Sequence, residues 1–324
     1  MPFADDEGIV LSAKTVSIRN VTAPYNASLI AKEDGNYLLF FRYDRIDAQC
    51  KNSFYAQIGC AELDKNFIQT EKEFQKVASI SENAEDPRVV KVGGRLYLVY
   101  NSLQPERPYY CRTMHVAELD ENFSAIHNTS LDIQEQPVEK NWVPFEYVEG
   151  TSDPHLYFEY SITPRKILRL SDPTTNSVSP MRFPTGNPFQ HLFWPGDWGP
   201  IRGGTPAIKI DGEYLAFFHS ACVAKGSRWY LMGAYTFEAE PPFTITRISH
   251  YPIFFKGIYT SPAMNTGNPR LKCLYPGGFA IDKTGERELI HVACGENDSA
   301  IKIVTLDKEA LFKSMKNLKI KNKG

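Results

Sequence analysis

The chain has 324 residues and a formal net charge of −2, with 42 % hydrophobic and 23 % charged residues. This composition is ordinary for a globular protein, and the near-neutral charge balance argues against nucleic-acid and membrane-surface partners. No stretch approaches the roughly 18 apolar residues of a membrane-spanning helix, and the six cysteines include no Cys-x-x-Cys pair of a zinc or redox site.

The first eight residues have neither the basic region nor the apolar run of a secretory signal peptide. A chain of this length can also build its core without disulfide bonds. We therefore expect a cytoplasmic protein with reduced cysteines.

A strand that ends in alternating aromatic residues recurs five times along the chain. Its marker positions are Tyr37, Tyr97, Tyr157, Tyr214 and Leu289, separated by 60, 60, 57 and 75 residues. A second strand follows each copy, and residues 59–67 and 115–123 are near duplicates. A short lead-in strand precedes each copy. Five copies at a step of about sixty residues predict an all-β fold, a five-bladed β-propeller. A β-sandwich would not explain this regular step.

We expect one catalytic domain over residues 1–324. Its blades would lie at roughly 15–75, 76–135, 136–195, 196–265 and 266–310. The helical spacing of Leu311, Phe312, Met315 and Leu318 predicts a helix over 308–318. That helix could pack on a neighbouring chain, which leaves a homo-oligomer open.

The segment Glu85-Asp-Pro-Arg88 places two acids and a base just before a predicted hairpin. Pro87 fixes its own φ and predicts an extended conformation for Asp86. A carboxylate held at a strand end can point at a ligand. The alternative is a turn in which Asp86 caps an amide and Arg88 pairs with Glu85.

Unusual polar residues recur at the same phase of each repeat, in the lead-in segments and at the ends of the next strands. They are Asn26, Arg42, Asp86, Arg88, Asn101, Lys140, Asn141, Arg202, His219 and Asp298. The innermost strands of a propeller run along its channel, so this shared phase predicts a polar pocket at one channel end. Taken singly, the Asn residues could be turn residues and His219 a core histidine. Asp44, Asp86, His219 and Asp298 lack metal-ligand spacing, so we predict no metal.

With these motifs in view, the chain resembles glycoside hydrolase family 130 and the related β-mannosyltransferase-phosphorylases over nearly its whole length. The matching pieces are Glu85-Asp-Pro-Arg88, Lys140-Asn-Trp142, Gly203-Gly-Thr-Pro206, Tyr230 with Gly233-Ala234, Tyr275-Pro276 and Gly295 to Asp298. The resemblance implies an inverting enzyme that acts on β-mannosides. Its second partner would be phosphate or an acceptor sugar, with inorganic phosphate or a sugar phosphate as co-substrate and no cofactor.

The resemblance also implies roles for individual residues. Asp86 matches the family's catalytic acid, which acts through a substrate hydroxyl. Asn26, Arg42 and Asp298 match the mannose-binding positions, and His219 and Tyr230 match phosphate contacts. We expect Arg88, Asn101 and Asn141 to add to the sugar site, and Arg202 and Lys140 to the phosphate site. Burial is expected to raise the pKa of Asp86 so that it can donate a proton.

One departure from the family pattern leaves the reaction open. Phosphorylases of the family carry a His-Arg pair where this chain has Tyr160-Ser161, and Arg202, Arg165 or Lys140 would have to replace it. We favour phosphorolysis of short β-1,2-linked mannosides, or mannosyl transfer from mannose 1-phosphate or a nucleotide-mannose donor. Inverting hydrolysis would need a second carboxylate roughly 6.5–9.5 Å from the first, with Glu146, Glu159 and Asp153 as candidates. A non-catalytic propeller that binds glycans or a protein is the third alternative.

Overall fold

The computed structural model describes residues 8–46, 54–104, 111–171, 177–181, 192–262 and 270–318. Nearly all of the regular structure in these ranges is β-strand, which confirms the all-β prediction. No helix in the described ranges is long and apolar enough to cross a membrane.

Three separate four-stranded antiparallel sheets follow one another along the chain. After β1 (Val10–Val16), the first sheet contains β2 (Tyr25–Ala31), β3 (Tyr37–Ile46), β4 (Phe54–Leu63) and β5 (Gln75–Lys76). The second contains β6 (Glu85–Val92), β7 (Arg95–Leu103), β8 (Arg112–Leu119) and β9 (Ala125–Ser130). The third contains β10 (Val143–Val148), β11 (Pro154–Ser161), β12 (Lys166–Leu170) and β13 (Val178–Pro180).

The remaining strands form one ten-stranded sheet with two antiparallel groups. After the 3₁₀ turn Gly196–Trp198, the fourth group has β14 (Ile201–Gly203), β15 (Ile208–Ile210), β16 (Glu213–Ala224), β17 (Ser227–Glu238) and β18 (Ile245–Ser249). The fifth group has β19 (Leu271–Asp282), β20 (Leu289–Glu296), β21 (Ala300–Asp307) and β1, which pairs antiparallel with β21. A short parallel contact between β17 and β19 joins the two groups.

The chain ends in a helix that is shorter than predicted. Helix α1 spans Lys308–Ser314, and β22 (Met315–Asn317) then pairs with β18. The helical prediction for 315–318 is therefore wrong, because the free edge of β18 takes up the backbone hydrogen bonds of these residues.

Five apolar clusters fill the spaces between successive strand groups. Each cluster contains residues from two neighbouring groups. From the first group onwards, one example from each cluster is Phe40 with Leu98, Val99 with Phe158, Phe145 with Phe237, Phe217 with Phe279, and Ile303 with Leu39. The last pair joins the fifth group back to the first. This arrangement is consistent with a five-bladed β-propeller-like fold.

Candidate active site

The first three groups hold an Asn or Asp in the left-handed backbone region at the start of the innermost strand. Asn26, Asp86 and Asn141 have φ values of 46°, 55° and 67°. Asn26 and Asp86 lie in irregularities of the β2–β3 and β6–β7 ladders. Asn and Asp tolerate this region better than most residues, and a bulge turns a side chain out of the strand's regular alternation. The predicted extended conformation of Asp86 is therefore wrong, because the bulge and not Pro87 alone sets its φ.

A polar cavity of about 410 Å³ lies at this end of the inner strands. It is lined by Asn26, Arg42, Glu85, Asp86, Lys140, Asn141, Pro200, Arg202, His219, Ala221, Arg228, Tyr230, Cys273, Tyr275 and Asp298. Nine of the eleven residues predicted for the site are among them. Arg88 and Asn101 are not.

Asp86 is buried at the cavity surface, where the side-chain amide of Asn26 donates a 2.8 Å hydrogen bond to its Oδ1. Burial by itself would raise the pKa of Asp86. The positive charges of Arg42, Arg88 and Lys140, together with the hydrogen bond from Asn26, outweigh it and hold the pKa below its usual value. The predicted rise in the pKa of Asp86 is therefore wrong.

Asp298 faces the same cavity with the opposite shift. Burial, followed by the negative charge of Asp86, raises the pKa of Asp298 to about 6. The two carboxyl groups thus differ in charge state under mildly acidic conditions. Asp86 is the ionised member, and Asp298 holds a proton more readily.

Arg42 and Glu85 form an ion-paired wall of the cavity. Arg42 pairs with Glu85 at 3.0 Å and with Asp44 at 3.1 Å. Arg112 pairs with the same Glu85 oxygen at 2.5 Å. Asn101 lies behind this wall, where its Oδ1 accepts a 2.9 Å hydrogen bond from Arg112 and its amide donates to the Glu85 carbonyl at 3.3 Å. Asn101 therefore holds Arg112 and Glu85 in place from outside the cavity.

Arg88 is fully buried beneath the cavity. Its guanidinium donates to the Gly204 carbonyl and to the Tyr275 hydroxyl, each at 2.5 Å. It also donates to Asn141 Oδ1 at 3.3 Å, and the Tyr275 hydroxyl donates to the same Asn141 oxygen at 2.9 Å. Arg88 thus links the inner segments of the second to fifth groups.

The cavity also contains the rings of His219 and Tyr230 and the cations Lys140, Arg202 and Arg228. The rings of His219 and Tyr230 are stacked with centroids 5.9 Å apart. Burial, then the charges of Arg88, Lys140 and Arg202, lowers the pKa of His219 to about 3, so its imidazole is neutral. Its Nδ1 is buried and has no hydrogen-bond partner among the residues that the structure describes. Neutral and cationic donors beside an open space suit a phosphate group.

Arg228 is the cavity cation that the sequence reasoning missed. Its guanidinium lies 5.5 Å from the centre of the Tyr230 ring. Strand alternation could have predicted it, because Arg228 lies two residues before Tyr230 on β17 and residues two apart on one strand face the same side. Pro200, Ala221 and Cys273 were missed as well, and they carry no chemical signal of their own.

The three candidate second acids lie away from the cavity. Glu146 accepts a hydrogen bond from the Gly93 amide and lines a separate cavity at the other end of the inner strands. Glu159 is buried, pairs with Arg165 and accepts a hydrogen bond from the Tyr235 hydroxyl. Asp153 is exposed between β10 and β11. Arg165 is engaged by Glu159 and does not line the cavity, whereas Lys140 and Arg202 do.

The described residues contain no group of three or more His, Cys, Asp or Glu side chains that could hold a metal ion. The described cysteines, at 60, 111, 222, 273 and 294, are free thiols.

Fold and cavity together define a class: all-β, propeller-like proteins with a polar pocket at one end of the inner strands. The chain belongs to glycoside hydrolase family 130, because the family model described as beta-1,4-mannooligosaccharide phosphorylase matches residues 6–317. This confirms the family resemblance. Comparison with curated protein sequences finds no match.

Solved structures share the fold at low sequence identity. A putative glycosidase from Bacteroides thetaiotaomicron is 14 % identical, with 95 % of this chain and 97 % of that chain covered and a TM-score of 0.62. The GDP-Man-dependent mannosyltransferase MPT-1 from Leishmania mexicana is 13 % identical, with 93 % and 91 % covered and a TM-score of 0.61. A beta-1,2-mannobiose phosphorylase from Listeria innocua is 12 % identical, with 95 % and 93 % covered and a TM-score of 0.59.

Proposed function

We propose that this protein is an inverting enzyme, built as one five-bladed catalytic domain, that transfers mannosyl groups between short β-mannosides and a phosphate-bearing partner. The observation that carries the proposal is one cavity that holds both a buried carboxyl group, Asp86, and the cations Lys140 and Arg202 together with His219. The charge of Lys140 acts on both Asp86 and His219. The family membership supports mannoside chemistry for such a cavity.

In the phosphorolytic direction, a phosphate oxygen attacks the anomeric carbon of the mannosyl group as the glycosidic C–O bond breaks. Asp86 supplies a proton to the leaving oxygen through a substrate hydroxyl, and inversion converts a β-mannoside into α-mannose 1-phosphate. An anionic nucleophile needs no general base, so one acid suffices. Arg42, Asn26 and Asp298 would hold the mannosyl group.

The lowered pKa of Asp86 is compatible with this role once phosphate is bound. Lys140 is one of the cations that hold the pKa down, and it faces the cavity. An anion beside it offsets its charge and lets the pKa of Asp86 rise. Phosphate would then be both the nucleophile and the group that prepares the acid.

The first test is product analysis with β-1,2-mannobiose and β-1,4-mannobiose, each with and without inorganic phosphate. Mannose 1-phosphate that forms only with phosphate is the expected result. Free mannose formed without phosphate would show that the enzyme is a hydrolase and would overturn the proposal. Sugar binding measured by calorimetry, with no turnover for any acceptor or donor, would indicate a non-catalytic binding protein instead.

The Asp86→Asn variant tests the acid. Asn tolerates the left-handed φ of 55° at this position and its oxygen can still accept from Asn26, so the fold should persist. We expect turnover to fall at least about 100-fold in a protein that remains folded at the assay temperature, with a lower melting temperature because the surrounding cations lose the negative charge of Asp86. Asp153→Asn, an exposed change far from the cavity, is the matched control. A fully active Asp86→Asn enzyme would rule out the assignment.

A further inference from the structure

Asn297 is a buried polar residue that lies next to the cavity and that the proposed reaction does not use. It is 1 % exposed, follows Glu296 and precedes the cavity residue Asp298. Its side-chain Oδ1 accepts a 2.9 Å hydrogen bond from the Cys273 amide, and its Nδ2 donates to the Ser261 carbonyl at 2.6 Å. Its backbone amide donates to the Cys273 carbonyl at 3.0 Å. Asn297 is therefore fixed to two segments that precede it in the chain.

The turn between β20 and β21 sets the direction of Asp298. Asn297 and Asp298 both have left-handed backbone conformations, with φ values of 51° and 52°. Residues other than Gly rarely adopt this region, and two in succession persist only where surrounding contacts hold them. The two side-chain hydrogen bonds of Asn297 are contacts of this kind. They hold the turn, and with it the carboxyl group of Asp298, in one orientation.

The Ser261 carbonyl that accepts from Asn297 belongs to a segment that Glu296 holds in place. Glu296 is fully buried, and its Oε1 accepts from the Lys302 ammonium at 2.8 Å and from the Tyr259 amide at 2.7 Å. Its Oε2 accepts from the Ser261 amide at 3.1 Å and from the Ser261 hydroxyl. The partner of Asn297 is therefore itself fixed by a buried carboxylate.

Tyr230, which we assign to the phosphate site, has supports of its own. It lies opposite Cys273 in the parallel contact between β17 and β19, and its carbonyl accepts a 2.8 Å hydrogen bond from the Tyr259 hydroxyl. Both contacts are made without the side chain of Asn297. Loss of that side chain should therefore disturb Asp298 and leave Tyr230 in place.

We propose that Asn297 is a positioning residue that holds the carboxyl group of Asp298 towards the mannosyl group. The inference rests on the proposed function, because it takes Asp298 as a ligand of that sugar. Without the side chain of Asn297, only a fraction of the molecules would hold Asp298 in the binding orientation. Apparent affinity falls in proportion to that fraction, so the mannoside should bind more weakly. Asp86 and the phosphate-binding residues stay in place, so the rate with bound substrate should change little.

The test is steady-state phosphorolysis by Asn297→Gly of β-1,2-mannobiose or β-1,4-mannobiose, whichever the wild type cleaves. Glycine adopts a left-handed φ without strain, so the turn can form while both side-chain hydrogen bonds are lost. We expect KM for the mannobiose to rise about tenfold, with KM for phosphate and kcat within about twofold of wild type.

Asn20→Gly is the matched control. Asn20 is exposed, has a left-handed φ of 63°, and donates a 3.4 Å hydrogen bond to Glu73 away from the cavity. The same substitution there should leave KM and kcat at their wild-type values.

The two kinetic constants separate positioning from instability. Partial unfolding removes active enzyme, so it lowers the apparent kcat and leaves KM unchanged. That result in Asn297→Gly would overturn the inference. An equal rise in KM for phosphate and for mannobiose, or wild-type values of both, would overturn it as well.

Calorimetric titration of wild type and Asn297→Gly with the same mannobioses separates the inference from the proposed function. If the wild type binds mannobiose without any turnover, only the proposed function fails, and weaker binding by the variant still supports the inference. If the wild type cleaves mannobiose and the variant binds it equally well, only the inference fails. A wild type that neither binds nor cleaves mannobiose would overturn both.

Discussion

Asp86 and Asp298 show how neighbouring charges set the state of two identical side chains in one cavity. Asp86 lies among cations, which lower its pKa in spite of burial. For Asp298, burial and the charge of Asp86 outweigh the opposing effect of Arg42. The same cavity therefore keeps one carboxyl group ionised and makes the other costly to ionise.

Asp298→Asn should stabilise the protein at high pH. The folded pKa of Asp298, about 6, exceeds the unfolded value of 3.8, so the folded state binds more protons between these values. Its contribution to the free energy of unfolding therefore falls as pH rises through this window. We expect Asp298→Asn to be more stable than wild type by about 1–2 kcal/mol at pH 8, after allowing for solvent screening. The gain should shrink towards pH 4.

Thermal unfolding of wild type and Asp298→Asn at both pH values measures this gain. Asp153→Asn, at an exposed site away from the cavity, is measured alongside as the control. A gain of the same size at pH 4 and pH 8 would show that the titration of Asp298 is not its cause.

Arg88→Gln should be among the most destabilising single changes in the chain. The buried guanidinium has hydrogen-bond partners on several inner segments, including Gly204, Asn141 and Tyr275. Its removal leaves buried acceptors without a donor, and we expect a loss of about 3–5 kcal/mol in the free energy of unfolding. Urea denaturation measures the loss.

Arg95→Gln is the matched control for Arg88→Gln. The Arg95 side chain is 67 % exposed and pairs only at the surface with Glu118, so its loss should cost less than about 0.5 kcal/mol. Similar costs for the two variants would contradict the structural role of Arg88.

Among the secondary-structure elements, the carboxy-terminal segment shows that pairing with a sheet can override a helical sequence pattern. Asp307 caps helix α1 by accepting a hydrogen bond from the Ala310 amide, as helix-start rules predict. The periodic apolar residues then continue beyond the helix, but Met315 pairs with Ser249 of β18. An apolar residue at helical spacing is equally able to fill the core from a short strand.

Leu311→Ala should destabilise the protein through the packing of this helix. Leu311 is fully buried in the apolar cluster that also contains Met315. Loss of its side chain should cost about 2–5 kcal/mol, read from denaturant or thermal unfolding. Lys313→Ala, on the exposed side of the same helix, should change stability little. Equal effects of the two would mean that the helix does not anchor to the core.

At the scale of the whole molecule, the ring of strand groups assembles the cavity from distant parts of the chain. The inner segments begin at Asn26, Asp86 and Asn141, and later groups add His219 and Asp298. These residues share a phase in the repeat, which is why most of the cavity was predictable without a structure. Strand β1 was not predictable from the repeat, because its partner β21 lies at the other end of the chain.

The all-β fold, the step of the repeat, the family and most of the cavity-lining residues were predictable from the amino-acid sequence alone. These follow from local alternation and from motifs that recur at one phase. Three features depend on the folded arrangement: Arg88 is buried beneath the cavity, Arg228 lines the cavity, and the pKa of Asp86 is lowered where a rise was expected. Side-chain direction at a bulge and the sum of surrounding charges depend on residues far apart in the sequence, so no local pattern contains them.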